Sequence, residues 1–152
     1  LFFFAWRLGG RLRKAETKAR VSAPLRDPYE EAIEALGDLD IERSRMEAKP
    51  FVFRLSEILR VYVERRFGVP AMEQTGEEFL REVADYKLFY NRYDDLLREF
   101  IDRSDTVKFS KENIDGEGLR LLMESALHFV KDTHRRLEEE RVQPESQPVE
   151  AA

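Results

Sequence analysis

The chain has 152 residues, 31 of them acidic against 26 Lys and Arg, and it contains no cysteine. This length suits one domain with one hydrophobic core, and the lack of thiols excludes disulfides, thiolate metal sites and cysteine nucleophiles. The net charge of −5 is uneven, because residues 7 to 20 hold six basic residues and one acid, which leaves −10 on the rest of the chain. So acidic a body argues against nucleic acid as the main partner, since phosphate binding needs a basic face.

The first twenty residues place a basic stretch directly after an apolar one. Residues 1 to 6 are wholly apolar and end at Trp6, which predicts the end of a transmembrane helix, followed by a cytoplasmic basic juxtamembrane segment over residues 7 to 26. Six helical residues rise only about 9 Å, so we expect the rest of the span upstream of this chain, which begins with Leu. An incidentally apolar terminus is the alternative, and a cleaved signal peptide is disfavoured because the charges follow the apolar run. The predicted contacts to anionic lipid headgroups are Arg7, Arg11, Arg13, Lys14, Lys18 and Arg20.

The first helix is predicted to begin with Asp27 as its cap, Pro28 in its first turn and Glu30 completing a capping box. Gly37 is predicted to weaken or end this helix, and the charged residues 38 to 50 carry no assignment. The predicted apolar face consists of Tyr29, Ala32, Ile33 and Leu36.

A second helix is predicted over residues 51 to 67, followed by a stop at Gly68-Val69-Pro70. Apolar residues cover most of its circumference, which is typical of the central helix of a bundle. These residues are Phe51, Val52, Leu55, Ile58, Leu59, Val61, Tyr62 and Val63.

Two further helices follow in the middle of the chain. Thr75 and Glu78 form the capping box of a third helix, which is predicted to bury Phe79, Leu80 and Val83. A fourth helix is predicted to end near Asp105, before a short connecting segment over residues 106 to 109. Its apolar face has the regular helical spacing of Tyr93, Leu96, Leu97, Phe100 and Ile101.

A long fifth helix is predicted after residues 115 to 118, and residues 142 to 152 are predicted to be a disordered tail. The apolar positions of this helix are Leu119, Leu122, Met123, Ala126, Val130, Thr133 and Leu137. No stretch alternates with a period of two. The predicted fold class is therefore all-α, a compact bundle of about five helices over residues 27 to 141 that follows the end of a transmembrane helix.

The residues that could carry chemistry do not form a recognisable site. His128 and His134 are six residues apart and do not share a helix face, so His128 is predicted to be partly buried and His134 solvated. No serine lies in a GxSxG-type elbow and no phosphate-binding loop is present. Acidic pairs such as Asp94-Asp95 are explained by the helix dipole. We expect no enzyme, no cofactor and no metal.

Three segments in order resemble a known family. They are residues 55 to 67 (LSEILRVYVERRF), 75 to 79 (TGEEF) and 105 to 110 (DTVKFS). With the apolar start and the PYEEA helix, they resemble the cytoplasmic C-terminal domain of the BatD-type oxygen tolerance proteins, and a related small membrane-anchored family of unknown function. The resemblance covers roughly residues 25 to 131. The family-like positions are Arg60, Tyr62, Arg66, Phe67, Thr75, Glu78, Asp105, Lys108 and Phe109.

The resemblance implies a bacterial inner-membrane protein whose helical domain faces the cytoplasm. Such proteins are usually encoded beside von Willebrand factor A domain proteins and a MoxR-type AAA+ ATPase, and no enzymatic activity is attributed to them. The chain departs from the family pattern at Ser110, where a small Ala is expected, and in the loop at residues 113 and 114, which lacks an expected proline.

The candidate partner-binding residues are Arg60, Arg66, Asp105, Lys108 and Phe109. Each has a structural alternative, such as pairing of Arg60 with Glu57 and Glu64 along its own helix. Asp105 and Lys108 could close the connection after the fourth helix or present charge to a partner.

Three functions stay open from the sequence. The leading hypothesis is a non-enzymatic, membrane-tethered cytoplasmic interaction module that docks a von Willebrand factor A domain protein or a MoxR-type ATPase. The alternatives are a small hydrolase or transferase with a scattered carboxylate and arginine site, and a structural anchor for a missing periplasmic region.

Overall fold

The computed structural model describes residues 26–86, 89, 92–110 and 114–142. Within these residues the chain is all-helical, with no strand, and the prediction of a compact five-helix fold is confirmed. No described helix combines the length and the apolar character needed to cross a membrane. The predicted membrane end, the basic segment with its headgroup contacts, and residues 143 to 152 of the predicted tail lie outside the described residues. The helices are α1 (Pro28–Glu42), α2 (Ala48–Phe67), α3 (Gly76–Asp85), α4 (Asp94–Phe109) and α5 (Gly116–Val142), with a 3₁₀ turn (Ala71–Glu73) between α2 and α3.

Helix α2 is the centre of the bundle, as its sequence predicts. It packs against α1, α4, α5 and the 3₁₀ turn, and its fully buried side chains include Phe51, Leu55 and Tyr62. Burial of one such side chain is worth about 1.5–3 kcal/mol. Gly68 ends the helix with φ of 72°, a left-handed conformation that residues with a β-carbon rarely adopt.

Both predicted helix starts are present, but one differs in detail. Thr75 and Glu78 form the complete capping box of α3. At α1 the Asp27 carboxylate accepts a hydrogen bond from the Tyr29 backbone N–H at 2.9 Å, and the described contacts of this cap do not include a reciprocal bond from Glu30. The capping box predicted at α1 is therefore wrong, although Asp27 is the cap.

The first helix does not end at Gly37, and the alternative, that Gly37 weakens this helix, stays a prediction. Helix α1 runs through this exposed glycine to Glu42, because Leu36 and Leu39 on its other face are both buried in the core. Their burial outweighs the helix propensity lost at a glycine, which is about 1 kcal/mol.

An aromatic cluster holds the centre of the core, and the sequence did not assign two of its members. Phe89 and Phe129 are wholly buried and stack on each other with ring centroids 5.7 Å apart. Phe67 and Tyr93 pack their rings against Phe89 at 4.7 and 5.7 Å. Phe89 lies between α3 and α4, where no helical periodicity could indicate its burial.

Both histidine predictions are wrong. His128 is exposed on α5, whereas His134 is partly buried and stacks on Tyr29 of α1 with ring centroids 3.7 Å apart and planes within 6°. Its Nδ1 atom is buried without a hydrogen-bond partner among the described residues. The neighbours of His134 in the sequence are charged, which suggested an exposed position. In the fold, α1 covers this face of α5 and partly shields His134 from solvent.

Candidate docking site

Three of the five candidate partner-binding residues come together where α2 meets α4. Burial lowers the pKa of both Arg60 and Lys108, and Arg60 lowers that of Lys108 further, while the negative charge of Asp105 on α4 partly offsets the lowering at both residues. These residues are separated by up to 48 positions in the sequence, and the contact between α2 and α4 brings them to one surface.

Arg60 is held by backbone groups rather than by the acids of its own helix. Its Nη1 atom donates hydrogen bonds of 2.7 Å to the backbone carbonyls of Ala71 and Gln74, and its guanidinium lies 5.3 Å from the ring centroid of Phe79. Burial lowers its pKa, and the charge of Asp105 partly offsets this effect. The pairing with Glu57 and Glu64 that helical spacing predicted is wrong, because Arg60 reaches across to the 3₁₀ turn.

Lys108 is half-buried and lies against an aromatic side chain of α2. Its Nζ atom is 4.9 Å from the ring centroid of Phe53, within the range of a cation–π interaction. Burial lowers the pKa of Lys108, the charge of Arg60 lowers it further, and Asp105 raises it. Lys108 therefore joins α4 to α2 while part of its side chain stays accessible.

Asp105 lies beside the start of α3, where the chain has a glycine. A β-carbon on Gly76 would lie 2.7 Å from Cγ2 of Ile101 and 3.7 Å from Oδ2 of Asp105. The first overlap is closer than real β-carbon contacts, so a side chain at Gly76 would push α3 away from α4. The absence of a side chain at Gly76 thus allows α3 to approach the surface that carries Asp105, whose own side chain is exposed.

The prediction that residues 106 to 109 form a connecting segment is wrong, because these residues form the last turn of α4. The backbone N–H of Ser110 donates to the carbonyl of Thr106 at 2.8 Å, and Val107 is buried in the core. Val107 continues the apolar face of α4 beyond Asp105, which explains why the helix is longer than predicted. Phe109 is on a helix end and remains 81% exposed.

Arg66 lies on a different part of the molecule. Its Nη2 atom donates to Oε1 of Glu138 on α5 at 3.4 Å, and its Nε atom is buried without a hydrogen-bond partner among the described residues. The structure therefore separates Arg66 from the surface that contains Asp105, Lys108 and Phe109.

Phe53 and Lys49 also belong to this surface, although no sequence pattern indicated them as candidates. Both are exposed, and they lie one helical turn apart on α2. Phe53 directly follows two buried apolar residues, Phe51 and Val52. Its exposure could therefore be inferred only from its angular position around the helix axis. That position lies on the side of α2 away from Leu55.

The surface presents aromatic rings, three cations and one carboxylate on helices. Among the residues that the structure describes, no three His, Asp or Glu side chains are grouped closely enough to hold a metal ion. A cleft of about 420 Å³ lies beside this surface between α4 and the start of α5, and Asp102, Thr106 and Ile114 contribute to its walls.

Comparison of the chain with protein-family models, with curated proteins and with solved structures found no match.

Proposed function

We propose that the chain is a non-enzymatic, membrane-tethered interaction module of the bacterial inner membrane, with its helical domain in the cytoplasm. The observation that carries this proposal is the position of Phe109. Its ring is 81% exposed at the end of a helix whose neighbouring turn is fixed in the core by Val107.

An exposed phenylalanine on a rigid helix end supports a docking role for two reasons. Covering such a ring in an interface removes apolar surface from water, which is worth about 1.5–3 kcal/mol for a fully buried side chain. The helix also holds the ring in place before binding, so little conformational entropy is lost on association. Lys108 and Asp105, in the same turn and the turn before, add charges that fix the orientation of a partner.

The resemblance of residues 55 to 67, 75 to 79 and 105 to 110 to the BatD-type proteins supplies the partner classes. They are a von Willebrand factor A domain protein and a MoxR-type AAA+ ATPase, which are usually encoded beside BatD-type proteins and are the gene neighbours that we expect for this chain. The apolar residues 1 to 6 and the basic residues 7 to 20 would hold the domain at the membrane, where both proteins are accessible from the cytoplasm.

The test is co-purification of the chain with these gene neighbours from detergent-solubilised membranes. We expect the wild-type chain to recover at least one of them, and Phe109→Ala to lose most of that recovery. Val142→Ala is the matched control, because Val142 is also an exposed apolar residue at the end of a helix, α5. Recovery of the wild-type chain alone under all conditions would overturn the proposal.

A further inference from the structure

The described part of the bundle has two chemically different ends. At one end, Nη2 of Arg65 donates to the backbone carbonyl of Arg26 at 2.8 Å, so the chain enters the domain beside the last turns of α2. Twelve residues separate Phe53 from Arg65, which corresponds to about 18 Å along the helix axis. Phe53 therefore lies near the opposite end.

The last turn of α4 meets Phe53 at that opposite end, where Lys108 lies over the Phe53 ring. The first turn of α5 lies beside the last turn of α4, because Val107 and Gly118 line the same cleft. The end of α1 is also at this end, since only a short connection separates it from the start of α2. Four of the six large apolar side chains that are exposed in the described residues belong to these segments, namely Ile41, Phe53, Phe109 and Leu121.

We infer that Lys49, Phe53, Lys108 and Phe109, called the distal patch, bind an acidic segment with an apolar anchoring residue on a soluble partner protein. This inference rests on the proposed function and specifies its partner. It concerns the surface used and the chemistry of the segment that covers it.

Charge complementarity determines the acidic character of that segment. The chain outside residues 7 to 20 carries −10. The acids beside the distal patch are Asp105 and Glu47, the N-cap of α2. Against them stand the two lysines of the patch and Arg60, whose charge reaches Lys108. Glu57, one turn beyond Phe53, is paired with Arg54 at 3.4 Å. A partner carboxylate would thus meet local positive charge on an otherwise acidic protein, which would steer association to this end of the bundle.

The two aromatic rings determine the apolar anchor. Phe53 and Phe109 are 52% and 81% exposed, and they stand on the ends of two helices that Lys108 holds together. Binding energy in interfaces concentrates on a few anchoring side chains surrounded by polar contacts. An aliphatic or aromatic partner residue seated between these rings, with its flanking carboxylates on Lys49 and Lys108, satisfies that arrangement.

An anionic bilayer could also contact lysines and exposed phenylalanines, but the position of the patch favours a soluble partner. The described residues begin at the other end with Arg26, and the predicted basic segment precedes Arg26 in the sequence. Headgroup binding by that segment would bring the entrance of the domain to the membrane and leave the distal patch facing the cytoplasm.

The partner arm of the test uses the full chain and the two purified gene neighbours, the von Willebrand factor A domain protein and the ATPase. We expect Lys49→Glu and Phe109→Ala each to weaken binding about tenfold. Raised salt should weaken binding of the wild type more than that of Lys49→Glu. Lys131→Glu is the control, because Lys131 is an exposed lysine fifteen residues beyond the start of α5; it should change affinity by less than about twofold.

The lipid arm uses the absence of cysteine, which allows a single dye to be attached. Full-length Leu121→Cys reports on the distal end and Glu30→Cys on the entrance. Vesicles of phosphatidylcholine and phosphatidylglycerol carry a headgroup-attached quencher. We expect quenching of the dye at residue 30 and little at residue 121.

The outcomes separate the two proposals. If a gene neighbour binds the wild-type chain and the patch variants equally well, the distal patch is not the binding surface. The proposed function would still stand in that case. If neither neighbour binds the wild-type chain, both proposals fail. Strong quenching at residue 121 would assign the patch to the bilayer and overturn the inference.

Discussion

The hydroxyl of Tyr62 on α2 lies 2.8 Å from the hydroxyl of Thr133 on α5, and both side chains are buried in the core. Thr133 also donates to the backbone carbonyl of Phe129 at 2.7 Å, and the Tyr62 hydroxyl reaches the carbonyl of Val130 at 3.3 Å. This short polar chain fixes the register between the central helix and the longest helix, because an apolar contact at the same place would not specify one alignment.

Tyr62→Phe should lower the free energy of unfolding by about 1 kcal/mol, because it removes one buried hydrogen bond while Thr133 keeps its backbone acceptor. Thr133→Val should cost about 1–2 kcal/mol, since the phenol then retains only the longer bond to Val130. Urea denaturation of both variants and of the double variant measures their coupling. Tyr86→Phe, at an exposed tyrosine, is the control and should be close to neutral. Strictly additive effects would contradict the direct bond.

Tyr93→Phe should change the pH dependence of stability at both extremes. Burial and the hydrogen bond to Asp132 raise the pKa of Tyr93, and the same bond holds the pKa of Asp132 below its usual range. A raised folded-state pKa gives stability that is present at neutral pH and lost as the pH rises above about 10. A lowered carboxyl pKa gives stability that is lost as the pH falls below about 4.

Urea denaturation of wild type and Tyr93→Phe across this pH range checks the prediction. The variant should lose stability less steeply above pH 10, where Phe has no phenol to ionise, and less steeply in acid, where the pKa of Asp132 is nearer its usual value. Arg135 also lowers the pKa of Asp132, so part of the acid dependence should remain. Parallel curves for the two proteins would refute the assignment.

Arg60→Ala should destabilise the domain by about 2–3 kcal/mol, because it leaves the carbonyls of Ala71 and Gln74 without their charged donor. Arg60→Lys should recover part of the loss, since an ammonium can donate to these carbonyls but lacks the planar guanidinium that lies over the Phe79 ring. Thermal unfolding measures both variants against Arg98→Ala, a control at an exposed arginine on α4. A neutral effect of Arg60→Ala would show that the 3₁₀ turn does not depend on this side chain.

The helices could be predicted because each carries a local signal that agrees with the fold. Thr75 and Glu78 cap α3 as their spacing indicates, and the period of α2 names its buried face correctly. The errors occur where tertiary contacts override a local signal. Gly37 stays helical because its neighbours are buried, and the last turn of α4 persists because Val107 belongs to the core.

The candidate site was predictable only as a set of residues. The ordered motifs named Arg60, Asp105 and Lys108 as candidate residues. No sequence pattern indicates that Arg60 donates hydrogen bonds to backbone carbonyls eleven and fourteen residues away. Phe53 and Lys49 were missed because their role depends on the approach of α4 to α2. That approach is a tertiary contact for which the sequence gives no spacing rule.

Deletion of residues 1 to 20 should leave the helical domain folded and abolish its association with membranes. The described residues begin with Arg26, which flanks α1, and Asp27, which caps it, and the described core is formed by the packing of the five helices on one another. Circular dichroism and flotation with anionic vesicles measure the two effects. Loss of helical signal in the truncated chain would show that the N-terminal residues contribute to the core.

Lys108→Glu should lower stability by only about 1 kcal/mol while weakening partner binding about tenfold. The substitution removes the cation from the Phe53 ring and brings a carboxylate near Asp105, but the charge of Arg60 offsets part of that repulsion. Lys108→Gln should be intermediate in binding, because it removes the charge without reversing it. Thermal unfolding and affinity for the purified gene neighbours separate the two effects. Unfolding of Lys108→Glu would make Lys108 a structural residue, and full binding by a stable variant would place it outside the docking surface.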